Sequence, residues 1–400
     1  MVAADLPIGD RIRHYRGERR QDAVAGLVGI SPDYLSQIER GLKVPSLPIL
    51  YALAQELGVP TAALLSEKPP AEEDSVDTAE AAVGRALLGY GATTSTVRAT
   101  AAELRGRVEA AWQSWQTDGD RFTQAATTLP GLVSDTEYAV RAVRVGTDAV
   151  ERRGVLRAAA DLYCLLRSYL RRTGRVDLAT IAADRAMRAA EDADDPLRIA
   201  AAQWNLGHVL LAAGQPGEAE ELALQAAGQV ATARMPEAER TAMGGALQLV
   251  AVVGAARRRR WSEARERLRD HAAPAARTVL DSSNVGWTVF GPTNVALHAL
   301  SIDMEAGETG EALHTADAID TSDLPSAERE FTFGLEVAAC HSQRREDAAV
   351  LLSLLGLEAI APEDLARSPL ARHLVLTVIR RARAMHARQA EQLAVRIGLV

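Results

Sequence analysis

The chain has 400 residues, 48% of them hydrophobic but only 4% aromatic, and a formal net charge of −8. That length suggests two or more domains, and an apolar content carried by Ala and Leu favours helices, because these residues lose little side-chain freedom there. Two cysteines, Cys164 and Cys340, exclude a disulfide framework; with no signal-peptide core and no run near the ~18 apolar residues that span a bilayer, a cytoplasmic protein without membrane contact is expected.

The N-terminal segment carries the clearest local signals. Ile8, Ile12 and Tyr15 recur at helical spacing, which predicts a first helix over 7–19. A second is expected from Gln21 to Val28, ended at Gly29 where a left-handed backbone fits. Ser31 is a good N-cap and Pro32 suits the first helical position, so a third helix starts there and runs to about residue 40. Two more short helices are read over 46–57 and 60–65. Residues 1–68 hold eight basic and eight acidic side chains, and five of the basic ones lie between Arg11 and Arg20. Clustered positive charge in a neutral domain is compatible with nucleic acid.

Ala25, Gly29, Leu35 and Ile38 occupy the small, turn and core positions of a helix-turn-helix. Gln21 opens the unit and the Glu39-Arg40-Gly41 triplet closes it. Over residues 1–66 the chain resembles the lambda-repressor-like, xenobiotic-response-element family of bacterial regulators. The resemblance implies a five-helix domain whose recognition helix, 32–40, lies in the major groove of double-stranded DNA. Pro32, Asp33, Ser36 and Gln37 then face the groove, beside the N-cap Ser31. Gln37 can pair with adenine and Asp33 can accept from cytosine. Gln21 holds a phosphate, and Arg13, Arg20, Arg40 and Lys43 are backbone contacts, which position without specifying. Arg16 and Glu39 match an ion pair between helices 1 and 3; two solvated charges are the other reading. One departure stands out: Arg19-Arg20 runs almost directly into Gln21, so the turn is tight or helix 1 is short.

Residues 67–80 are acidic and Pro-containing, and are read as a linker. Residues 81–400 then repeat helical hairpins. The copies cover 163–186, 204–226, 247–268, 294–316 and 331–355, with turns anchored at Gly174, Gly214, Arg259, Gly307 and Arg344. The intervals exceed the roughly 34-residue tetratricopeptide period, yet the internal spacing resembles it. The expected fold is all-α: the helix-turn-helix domain followed by an α-solenoid of tetratricopeptide-like hairpins with a concave face. Segment 362–398 reads as two capping helices. The arginine run 257–260 reads as a solvated turn, and Trp112 and Trp115 as core.

No spacing suits catalysis, a cofactor or a metal site, so no enzyme is expected. The stretch SSNVGWTVFGPTNVALHAL, 282–300, gathers scarce aromatics and amides. Two readings stand open: a ligand pocket formed by Trp287, Phe290 and Asn294 with Trp204, His208 and Arg171, or a simple join between hairpins. The expected function is a ligand-responsive transcription regulator, dimeric with itself, sensing a small molecule or peptide. A protein-interaction adaptor with weak DNA binding is the alternative.

Overall fold

A computed structural model describes residues 8–17, 19–43, 45–59, 64, 79–89, 99–144 and 146–399. The chain divides into two compact units, 1–78 and 79–400. The acidic segment up to residue 78, and all of the expected fifth helix but Leu64, lie outside the described residues.

The first unit is built from α1 (Ile8–Arg16), α2 (Gln21–Val28), α3 (Pro32–Glu39) and α4 (Leu47–Leu57). Helix 1 is shorter than expected: it stops at Arg16, and Gly17 turns left-handed at φ 57. That early stop explains how Arg20 can lead straight into α2. Gly29 (φ 76) ends α2, with the Ile30 amide donating to the Ala25 carbonyl at 3.0 Å. Ser31 Oγ accepts from the Tyr34 amide at 3.1 Å and caps α3. Ile12, Val24, Leu35, Ile38, Leu53 and Leu64 close a small core. Helix 1 meets helix 3 at Gly9, where a Cβ would sit only 2.2 Å from the Ile38 carbonyl oxygen.

Helix is the only regular secondary structure in the second unit among the described residues, and none of its helices is long and apolar enough to cross a membrane. It opens with α5 (Ala79–Leu88), α6 (Ala101–Thr117) and α7 (Arg121–Arg144). Five hairpins follow. They are α8 (Ala149–Arg172) with α9 (Val176–Asp192), α10 (Pro196–Ala212) with α11 (Pro216–Thr232), α12 (Glu237–Arg257) with α13 (Trp261–Arg267), α14 (Pro292–Ala306) with α15 (Thr309–Asp317), and α16 (Ala327–Gln343) with α17 (Asp347–Ile360). Four expected turn anchors adopt positive φ: Gly174, Gly214, Arg259 and Gly307. In the last turn the left-handed residue is Arg345, one place after the expected Arg344. The end of the array has three helices and not two: α18 (Pro362–Arg367), α19 (Pro369–Arg381) and α20 (Ala384–Arg396). Ser368 and Pro369 make the extra break. The Ser368 hydroxyl accepts from the Ala371 amide at 3.2 Å, and proline stands at the first helical position.

The array is not open. The Arg121 guanidinium, at the start of α7, is 1% exposed and grips Asp364 of α18, with Nε donating to Oδ2 at 2.9 Å. Its Nη1 donates to Glu328 of α16 at 3.2 Å. The Phe122 amide donates to Glu363 at 2.7 Å. The first helices of the array thus meet the last ones, and the concave face closes toward a cavity.

Between α13 and α14 the chain passes through a π-helical turn, Leu268–Ala272, and then an irregular loop. Asn284, Gly286, Trp287 and Val289 all have positive φ. Three of them are not glycine, and such backbone persists only when its surroundings over-determine it. Here the Asn284 side chain does so: Nδ2 donates to Gln116 at 2.6 Å and Oδ1 accepts from the Val289 amide at 3.0 Å. Gln116 in turn donates to the Trp287 carbonyl at 3.1 Å, and the Trp287 ring stacks on Trp112 at 5.3 Å.

Candidate nucleic-acid interface and candidate ligand cavity

One buried carboxylate organises the first unit. Glu39, 4% exposed near the end of α3, accepts from two of the three Arg16 guanidinium nitrogens, Nε at 2.6 Å and Nη2 at 3.0 Å. The same carboxylate accepts from Gln21 Nε2 at 2.6 Å. Three helices therefore meet at one side chain, and the bidentate pair holds the Arg16 guanidinium above its usual pKa. The ion pair matched by resemblance is present. Gln21 thus spends one amide N–H inside the domain.

The outward face of α3 carries the expected reading residues. Ser31, Pro32 and Asp33 are exposed, and Ser36 and Gln37 are half-buried. Gln37 Nε2 donates to Asp33 Oδ2 at 2.8 Å, so the two side chains stand as one unit. Arg40 Nε donates to the Ser36 carbonyl at 3.2 Å. Arg13, Arg20, Arg40 and Lys43 are exposed, although Arg20 is paired with Asp22. The placement gives a helix with its polar face free, rimmed by cations.

In the second unit a cavity of about 250 Å³ opens among the first helices of all five hairpins. Arg171 and Arg172 come from α8, His208 and Leu211 from α10, Val252 and Arg257 from α12, Leu297, His298 and Ser301 from α14, and Glu328, Arg329 and Glu336 from α16. A smaller space of about 40 Å³ adjoins it, lined by Trp112, Trp204, His208, Trp287 and Arg329. A third small space reaches Asn294.

The structure brings Arg171, Trp204, His208, Trp287 and Asn294 to these adjoining spaces. It does not bring Phe290, which lines none of the three and is 1% exposed. The Phe290 ring fills the room left by Gly245, where an added Cβ would lie 2.0 Å from it. The Asn294 side-chain oxygen is buried without a hydrogen-bond partner, and its carbonyl accepts from His298 Nδ1 at 2.8 Å. Both readings of the 282–300 stretch therefore describe part of it: Phe290 joins hairpins, while Trp287 and Asn294 border the cavities.

Sequence reasoning missed most of the charged lining: Arg172, Arg257, His298, Glu328, Arg329 and Glu336. The signal was available. Arg329, Thr332, Phe333 and Glu336 follow the i, i+3, i+4, i+7 spacing of one helix face. The arginine run 257–260 divides: Arg257 turns to the cavity, while Arg258 and Arg260 pair with the buried Glu220.

Burial sets the charge states. It holds His208 well below the usual imidazole pKa and pushes His298 down to about 4, so both are neutral at pH 7. Burial pushes Glu336 up to about 7, opposed by the Ser301 hydroxyl that donates to it at 2.7 Å and by Arg329, and assisted by Glu305. Between the ordinary carboxylate range and pH 7 the folded chain therefore holds a proton that the unfolded chain has released. Stability from this group falls as pH rises through that window. Glu336→Gln should gain stability over the parent as pH rises from about 5 to 8, read from thermal midpoints. An advantage that is flat with pH contradicts the assignment.

Residues 7–67 match the family model of a helix-turn-helix domain. No curated protein matches the chain. The chain is similar to the crystal structure of Bacillus thuringiensis PlcR in complex with the peptide PapR7 and DNA. That similarity is 10% in sequence identity over 86% of this chain and 98% of the other, with a TM-score of 0.29. The helix-turn-helix match thus lies within the first unit, and the second unit is an array of helical hairpins.

Proposed function

We propose that the chain is a cytoplasmic, sequence-specific transcription regulator that binds operator DNA through α3 and senses a small molecule or short peptide in its array. The observation that carries the reading is the helix-turn-helix unit itself, with its polar recognition face free and its core braced at Glu39. A single domain of this size buries too little DNA surface for tight specific binding, so two copies on two half-sites are expected. Exposed apolar side chains in the last helices, Leu352, Met385 and Val395, support self-association through the array.

The cavity supports the sensing half. Its walls come from five different hairpins, so a ligand there touches all of them and favours one curvature of the array. It changes DNA binding only in so far as it prefers one state, and full reversal of a 99:1 population needs about 5.5 kcal/mol of preference. Half-sites lie about 34 Å apart per turn, so a change of a few ångströms in domain spacing breaks simultaneous docking.

Gln37→Ala should cost about 1–3 kcal/mol on the specific site and relax preference at one base position. Gln21→Ala should weaken all sequences alike, and should also lower stability by loosening the contact with Glu39. Mobility shifts on matched and scrambled sites separate the two. Unchanged affinity and footprint for Gln37→Ala would rule out this docking and favour the adaptor reading.

A further inference from the structure

Four guanidinium groups, of Arg171, Arg172, Arg257 and Arg329, line the 250 Å³ cavity. Two of them are answered from within the fold. Arg172 is ion-paired with Glu328, and Arg257 Nη1 donates to the Leu211 carbonyl at 2.8 Å. The other two are not. Arg171 comes no nearer than 3.9 Å to Glu328, and its Nε is buried with no hydrogen-bond partner. Arg329 lines all three adjoining spaces, and among the described residues its guanidinium makes no hydrogen bond or ion pair.

Both side chains are half-buried, and surplus cationic charge drawn partly out of water is stabilised when an anion answers it. The nearby acids do not supply one. Glu328 is committed to Arg172 and Arg121, while burial drives Glu305 and Glu336 toward the neutral form. Apolar side chains make up much of the remaining lining: Leu211, Val252, Leu297, Ile302 and Phe333. The cavity is smaller than the ~300–1,000 Å³ usual for drug-sized ligands, so its occupant is small.

We propose that this cavity binds a small organic carboxylate, held between the Arg171 and Arg329 guanidinium groups with its apolar body against Leu211, Val252, Leu297 and Phe333. The site rests on the sensing reading only in taking the cavity as the effector site. A guanidinium fork matches a carboxylate in two parallel hydrogen bonds. A phosphate dianion fits less well, because the Glu328 carboxylate borders the same space and repels the second charge, and the apolar lining answers none of its oxygens. The neutral His208, which lines the same cavity, is placed to take a further polar group of the ligand.

The test is the thermal midpoint of the full chain with benzoate, phenylacetate or isovalerate, against benzamide and inorganic phosphate at equal ionic strength. At least one carboxylate should raise the midpoint by about 2–4 °C once about tenfold above its Kd, with no shift from benzamide or phosphate. Arg329→Gln should weaken that carboxylate at least tenfold; Arg171→Gln serves as the second variant should the first fail to fold. No shift from any carboxylate, an equal shift from benzamide, a shift from phosphate alone, or undiminished binding by both variants overturns the proposal. A carboxylate that binds through Arg329 without altering DNA affinity sinks the sensing reading and leaves the site standing. Release from DNA by a culture extract that Arg329→Gln does not impair does the reverse.

Discussion

Arg121→Met is expected to cost the array about 3–5 kcal/mol, because it strands a buried carboxylate. Arg121 and Asp364 are 1% and 5% exposed, and the guanidinium meets both carboxylate oxygens. It also lies over the Trp115 ring at 4.5 Å and the Phe122 ring at 5.3 Å. After the substitution Asp364 keeps only a distant cation, Arg172 at 3.9 Å. The second change, Asp364→Leu, should restore much of the loss, since replacing both buried charges by apolar groups is often neutral. Because Arg121 joins α7 to α16 and α18, the single variant should also loosen the cavity wall at Glu328. Urea unfolding of the full chain reads both effects. A loss below about 1 kcal/mol, the usual size for an exposed pair, would show that the closure contributes little.

Gly9→Ala carries the second large effect. The added Cβ would lie 2.2 Å from the Ile38 carbonyl oxygen and 2.9 Å from that of Glu39. Both neighbours are backbone and cannot rotate away, so α1 must lift from α3. Overpacking of this kind costs about 1–3 kcal/mol. The strain falls beside the Arg16–Glu39 pair that fixes the recognition helix, so affinity should drop on every DNA sequence alike. Gly26→Ala is the matched control. Nothing lies within 4 Å of a Cβ there, and alanine favours a helix over glycine by about 1 kcal/mol. Equal behaviour of the two variants in melting and DNA binding would contradict the packing argument.

What could be read from sequence was local. The bounds of α2 and α3 follow from Gly29, Ser31 and Pro32, each acting within a turn of its own position. The hairpin turns were legible for the same reason, since a left-handed residue is a local need that glycine usually meets. Arg345 shows the limit: the turn takes φ 61 there without glycine, and its exact place was missed by one residue. Helix 1 was overdrawn because Gly17 was not taken as a stop. The closure through Arg121 and Asp364 joins residues 243 apart, and no spacing rule reaches that far. The cavity was half legible. Trp204 and His208 lie inside the hairpin copy read over 204–226, and Arg171 inside that over 163–186, whereas Arg329 falls two residues ahead of the copy read over 331–355. Phe290 stood open between the two readings because an aromatic beside glycines suits a pocket and a packed join equally, and Gly245, 45 residues earlier, decides between them.

Helix α3 should read DNA as one half of a symmetric pair. The most direct measurement is selection of the full chain against a randomised double-stranded library, run beside Gln37→Ala. A two-fold symmetric site should be enriched, with half-sites one helical turn or a multiple apart, and the variant should relax preference at one base per half-site. Enrichment of no sequence, or of the same site with the same preferences by both proteins, would contradict it.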